Sequence, residues 1–154
     1  MKTLILLTAI PGAGKSTWAQ KYIKEHPNSF IVSSDEIRKE LGGTYQYFKE
    51  EEKVWNLFLL RTNEYAMKNE DITVILDSTT PNDAFRSFYL KSTPIYNRHI
   101  LVFFDCPYEI ALKRNFERDE DKVVPLPVME KIKQTFERPS KNVIDLFDEF
   151  ITIV

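Results

Sequence analysis

Leu4-Ile5-Leu6-Leu7-Thr8-Ala9-Ile10-Pro11-Gly12-Ala13-Gly14-Lys15-Ser16-Thr17 runs from an apolar stretch through a glycine-bearing turn into residues with helical spacing. Strand, loop and helix in that order, with Gly-Lys-Ser-Thr at the last junction, read as a phosphate-binding P-loop. Backbone N–H groups of Gly12, Ala13, Gly14, Lys15, Ser16 and Thr17 at a helix N-terminus converge with the Lys15 ammonium on a polyphosphate, and the Ser16 hydroxyl is placed to ligate Mg²⁺. The full pattern G-x-x-x-x-G-K-[ST] has glycine where this chain has Ala9, so the match is one residue short of complete. A plain glycine turn is the alternative, and the strand before and helix after argue against it.

Working outward, five β-rich segments alternate with helical spacing: Lys2–Thr8, Phe30–Ser33, Ile72–Leu76, His99–Phe104 and Phe150–Val154. Continuous apolar runs such as Val74-Ile75-Leu76 and Ile100-Leu101-Val102-Phe103-Phe104 suit strands covered on both faces, as in parallel sheets. The expected fold is therefore α/β, a P-loop NTPase with a doubly wound, parallel five-stranded sheet, helices on both faces and a short helical lid. The spacing predicts helices over Lys15–Glu25, Asp35–Leu41, about Tyr47 to Lys68, Pro81–Leu90 and Pro107–Arg118, with a last one after Pro127.

The chain has 154 residues, 43% hydrophobic, a length that predicts one domain over 1–154 with one well-buried core. Its lone cysteine, Cys106, has no internal disulfide partner, and with two histidines it cannot furnish a typical zinc site, so a reducing, cytoplasmic setting is expected. The N-terminal apolar run reads as a strand rather than a signal peptide, and no run approaches membrane-spanning length. A net charge of −2 supplies no global field for nucleic acid, so any polyanion site must be a local basic patch.

Ligand sites of open α/β sheets lie beyond the carboxyl ends of the strands. There the chain carries Ser33-Ser34-Asp35-Glu36-Ile37-Arg38, Asp77-Ser78-Thr79-Thr80 and Asp105-Cys106-Pro107. Asp35 with Arg38 three residues on offers a carboxylate to accept an alcohol proton and a guanidinium to hold an anionic group, a pairing that favours function over the alternative that Asp35 simply caps the following helix. Asp77 resembles the acidic end of a Walker B strand and is a candidate Mg²⁺ ligand; capping or an ion pair is its alternative. Arg114 and Arg118, four apart, are expected on one helix face overhanging the phosphates, unless that charged run is merely solvated. Asp119-Glu120-Asp121-Lys122-Val123 fits the D-x-D-x-[TV] pattern of aspartate-based phosphatases, but it follows a charged helix instead of tipping an apolar strand.

With these residues assembled, the chain resembles the small P-loop kinases around the polynucleotide 5′-kinase family. The likeness is carried by Pro11–Ala19, by the D-x-x-R of Asp35–Arg38, by Asp77-Ser78-Thr79, and by Phe104–Pro107 with Leu112–Asn115, Arg118 and Val124-Pro125. Relative to that pattern the lid between Arg118 and Val124 is one residue longer, and Ser33-Ser34 stands where basic residues occur. The resemblance implies an ATP- and Mg²⁺-dependent phosphotransferase acting on the 5′-hydroxyl of DNA or RNA. It implies Lys15 and Ser16 for phosphate and metal, Asp35 as general base, Arg38 for the acceptor's neighbouring phosphate, Arg118 for the transferred phosphate and Arg114 near the nucleotide. The same architecture serves small-molecule kinases, and a nucleotide-switched binding module is the non-enzymatic alternative.

Overall fold

The computed structural model describes all residues, 1–154. In chain order it contains β1 (Lys2–Thr8), α1 (Lys15–Glu25), β2 (Ser29–Ser33), α2 (Ser34–Gly42), α3 (Glu51–Lys68), β3 (Ile72–Asp77), α4 (Asp83–Lys91), β4 (Arg98–Phe104), α5 (Tyr108–Phe116), a 3₁₀ turn (Glu120–Lys122), α6 (Leu126–Thr135), α7 (Lys141–Ile144) and β5 (Glu149–Ile153). The five strands form one sheet in the order β2-β3-β1-β4-β5, and every pairing is parallel. The doubly wound P-loop fold expected from the sequence is thus the fold observed.

Strand alternation divides the core between the two faces of the sheet. Leu4, Leu6, Val74, Leu76 and Leu101 pack with Val54, Phe58 and Tyr89 from α3 and α4, whereas Ile5, Leu7, Ile75, Val102 and Phe104 pack with Ala19 and Ala111 from α1 and α5. Both faces of β1 are therefore dry, and each of its buried leucines contributes on the order of 2 kcal/mol by burial alone. Because β1 lies between β3 and β4, the chain leaving it at Thr8 emerges at the centre of the sheet's carboxyl edge, beside Asp77 at the end of β3.

Several helix starts differ from the sequence reading, each for a local reason. The third helix begins at Glu51, four residues after the expected Tyr47. Pro81 precedes its helix, and Asn82 is the cap that accepts from the Phe85 N–H at 3.0 Å. Pro107 is itself the cap residue of α5, while Pro127 does sit in the first turn of α6. The one-turn α7, started by Ser140, carries no periodic signal in so short a stretch. No helix is long and apolar enough to cross a membrane.

Candidate active site

The P-loop is shaped by two left-handed glycines. Gly14 has φ 100° and is the N-cap of α1, with no side chain bonding to the first-turn N–H groups, so those of Lys15, Ser16 and Thr17 remain open. Gly12 has φ 85°, and a Cβ there would lie 2.1 Å from the carbonyl oxygen of Ala111 in α5. Ala9, at the position of the pattern's first glycine, is fully buried and donates its N–H to Thr79 O at 3.1 Å. That position therefore needs a small residue rather than a glycine's dihedral freedom.

Inside the loop's mouth, the Ser16 hydroxyl donates to Asp77 Oδ2 at 2.8 Å, and the Lys15 ammonium stands 3.8 Å from Asp77 Oδ1. Asp77 caps no helix, since Asn82 holds that post. A hydroxyl and a buried carboxylate in contact make an all-oxygen donor pair, which fits a hard cation such as Mg²⁺.

Across the cleft, Ser33 caps α2 by accepting from the Glu36 N–H at 3.3 Å, which releases Asp35 from that duty. Asp35 is half exposed and accepts from Arg38 Nη1 at 2.8 Å. Glu51, unforeseen in the sequence, takes the opposite edge of the same guanidinium, accepting from Nε at 3.0 Å and from Nη2 at 2.7 Å. Phe48 and Trp55 lie against the guanidinium, its carbon 5.3 and 5.4 Å from their ring centroids. Burial opposes the charge on Arg38, but the Glu51 hydrogen bonds and the two neighbouring carboxylates outweigh it and raise its pKa above the ordinary value. No sequence periodicity relates residues 38 and 51; only the apposition of α2 and α3 does.

The lid closes the third side. Asn115, fully buried, accepts from the Val124 N–H at 2.9 Å and donates to Val124 O at 2.8 Å, so its amide pins the loop's end to α5. Gln46 Nε2 donates to Val123 O, and Lys122 lies over the Tyr45 ring, which ties the lid to the α2–α3 connection. Helix α5 stops at Phe116, so Arg114 and Arg118 do not share a helix face as expected. Arg118 comes after the helix, its N–H bonded to Asn115 O, and lines the cleft, whereas Arg114 is exposed outside it. Of the helical lid only the single 3₁₀ turn at Glu120–Lys122 is present.

Lys15, Ser16, Asp77, Asp35, Arg38 and Arg118 thus line one cleft of about 1250 Å³. Beneath it lies a residue the sequence reading missed. Arg86 is fully buried, donating to Thr8 Oγ1 from Nε (3.1 Å) and Nη2 (3.0 Å), to Asp83 Oδ1 at 2.8 Å and to Glu137 O. Burial pushes its pKa below the ordinary value despite the opposing Asp83.

The family model described as an AAA domain matches residues 4–139. The chain belongs to that family. Among its relatives, this AAA-domain chain is 25% identical over 150 residues to the L-seryl-tRNA(Sec) kinase of Methanococcus maripaludis, a match covering 94% of this chain and 57% of that protein. It is 26% identical over 165 aligned positions to the uridylate kinase of Saccharomyces cerevisiae, covering 95% of this chain and 78% of that one. It therefore spans little more than half of the archaeal kinase. A protein of the Pnkp1/Rnl/Hen1 RNA repair complex shares the fold, with a TM-score of 0.74 and 24% identity over 96% of this chain and 46% of that one. The AAA-domain chain accordingly has the fold of the P-loop kinases.

Proposed function

We propose that the protein is a kinase that transfers the terminal phosphoryl group of ATP to an alcohol, and that this alcohol is the 5′-hydroxyl of a DNA or RNA end. The observation that carries the reading is the half-exposed Asp35 carboxylate, fixed by Arg38 in the cleft that also holds the P-loop. A module that merely binds nucleotide has no use for a second, buttressed carboxylate facing the phosphate site. The kinase names of the two relatives and the fold point the same way.

In this reading the open N–H groups of α1 and the Lys15 ammonium hold the β- and γ-phosphates. Ser16 and Asp77 are the residues to hold Mg²⁺, which when bound neutralises charge on the phosphates. Asp35 accepts the proton of the acceptor hydroxyl as its oxygen bonds to phosphorus and the bond to ADP breaks. Arg118 stabilises charge on the group in flight. Arg38 spends three of its five N–H donors on Glu51 and Asp35, which leaves two for the phosphate next to the acceptor hydroxyl. Glu51 also supports a second reading, a small-molecule kinase: its carboxylate already neutralises the Arg38 guanidinium, and a neutral alcohol needs no unpaired cation beside it.

The test offers γ-labelled ATP and Mg²⁺ with 5′-hydroxyl oligonucleotides, nucleosides with and without a 3′-phosphate, sugars and sugar acids, with Lys15→Ala as the blank. Label is expected on oligonucleotide ends, and on the nucleoside 3′-phosphate in preference to the nucleoside. Label confined to a sugar would overturn the acceptor assignment and keep the kinase. No label on any alcohol would overturn both.

A further inference from the structure

Asp35 and Arg38 account for a hydroxyl and a phosphate, but neither can recognise the base of a terminal nucleotide. The cleft contains a group suited to that task. Phe48, in the connection between α2 and α3, is 56% exposed yet lines the same cleft as Asp35 and Lys15. Its position is not left to a flexible loop. The guanidinium that bonds Asp35 also lies 5.3 Å from the Phe48 ring centroid, and that guanidinium is itself held at both ends by carboxylates.

The other aromatic rings of the cleft are occupied. Phe30 is stacked on Tyr65 with centroids 4.9 Å apart and planes 18° from parallel. Tyr45 is buried, donates to Glu36 Oε1, and has the ammonium groups of Lys39 and Lys122 over its ring at 4.5 and 5.2 Å. Phe48 has one cation on its ring, the Arg38 guanidinium, and unlike the buried Tyr45 it keeps more than half of its surface open.

We propose, building on the 5′-kinase reading, that Phe48 is the specificity-determining residue that stacks on the base of the acceptor's terminal nucleotide. An aromatic ring held one guanidinium away from the catalytic carboxylate places a π-face where only an acceptor with a planar base can use it. Base–aromatic stacking tolerates any sequence because every base has such a face. The acceptor class is therefore a base-bearing 5′-hydroxyl end of any sequence, in preference to a bare sugar.

The experiment compares two 5′-hydroxyl oligonucleotides that differ only in whether the terminal residue carries its base or is abasic, using wild type, Phe48→Ala and Phe48→Trp with Mg²⁺-ATP. Wild type is expected to show a KM about tenfold lower for the base-bearing end, the scale of one stacking contact. Phe48→Ala should bring the ratio of the two KM values close to one, and Phe48→Trp should restore it. Equal KM values in wild type, or an Ala variant that raises both alike because the ring merely braces Arg38, would overturn the stacking role and leave the 5′-kinase reading intact. Transfer to neither oligonucleotide would overturn both.

Discussion

Two helices of this protein open with the same device. Asp35 and Arg38 at the start of α2, and Asp83 and Arg86 at the start of α4, are each three residues apart and each joined by an Nη1 to Oδ1 hydrogen bond of 2.8 Å. Ser33 caps one helix and Asn82 the other. What differs is the surroundings. Arg86 is sealed, with the Thr8 hydroxyl accepting two of its N–H groups while donating its own proton to Thr80 O, so hydroxyl and guanidinium consume each other. Arg38 faces a cleft, its carboxylate partner is half in water, and two of its donors are uncommitted. The pair D-x-x-R is thus a local geometry; whether it braces a fold or meets a substrate depends on what the neighbouring elements leave open.

The largest expected effect is Arg86→Ala. It takes the buried donor away from Thr8 Oγ1 and Glu137 O and empties the space of a fully buried side chain; each buried acceptor left unpaired costs about 1–3 kcal/mol, measurable by denaturant unfolding. Arg38→Ala should cost clearly less stability, because water can reach both Asp35 and Glu51. Equal losses would erase the distinction between the two pairs.

Asp35→Asn comes next. Its unfolding midpoint should hold, since Ser33 supplies the cap, while phosphoryl transfer falls by roughly 10², the scale of lost acid–base assistance. The matched change Asp83→Asn should do the reverse, moving the unfolding midpoint and sparing turnover per folded molecule. Wild-type turnover in Asp35→Asn would make α2 as structural as α4.

Smaller still are the caps. Ser33→Ala and Asn82→Ala should each cost about 1 kcal/mol in unfolding free energy. Asn82, with the shorter bond, is expected to lose the more.

The slightest effect is in acid. Burial alone would raise the pKa of Asp83, but hydrogen bonds from Ser140 and Arg86 prevail and hold it below the ordinary value of 3.8. The unfolded chain therefore takes up that proton first as pH falls. The stabilisation is complete above that value and is lost as pH drops through the lower, folded one. The difference in melting temperature between wild type and Asp83→Asn should accordingly shrink between pH 7 and pH 3.

The strands and the P-loop were legible because their signals are local: β1 matches its expected bounds residue for residue, β2, β3 and β4 each gain one residue at one end, and β5 is shifted by one residue toward the N-terminus. Asp35 and Asp77 could be picked out as strand-end carboxylates, but their alternative role as caps could not be dismissed until Ser33 and Asn82 were seen in it. Glu51 and Arg86, and the loop-pinning role of Asn115, stayed hidden for a different reason. Each acts on a group from another element, and helix periodicity does not say which element will lie opposite. Arg118 lines the cleft as the resemblance implied, but the shared helix face with Arg114 failed: a spacing of four carries meaning only while the helix continues, and α5 ends first.

The bare backbone at Gly12 gives the molecule a mechanical linkage. Where a methyl group would strike Ala111 O, main chain rests directly on main chain, with no side chain between to yield. Ala111 lies about one helical turn before Asn115, whose amide grips Val124 at the root of the lid. Close-packed contacts of this kind pass displacement on instead of absorbing it. The P-loop and the anchored end of the loop bearing Arg118 therefore share one rigid strut, and any residue larger than glycine at position 12 would pry that strut away from its seat.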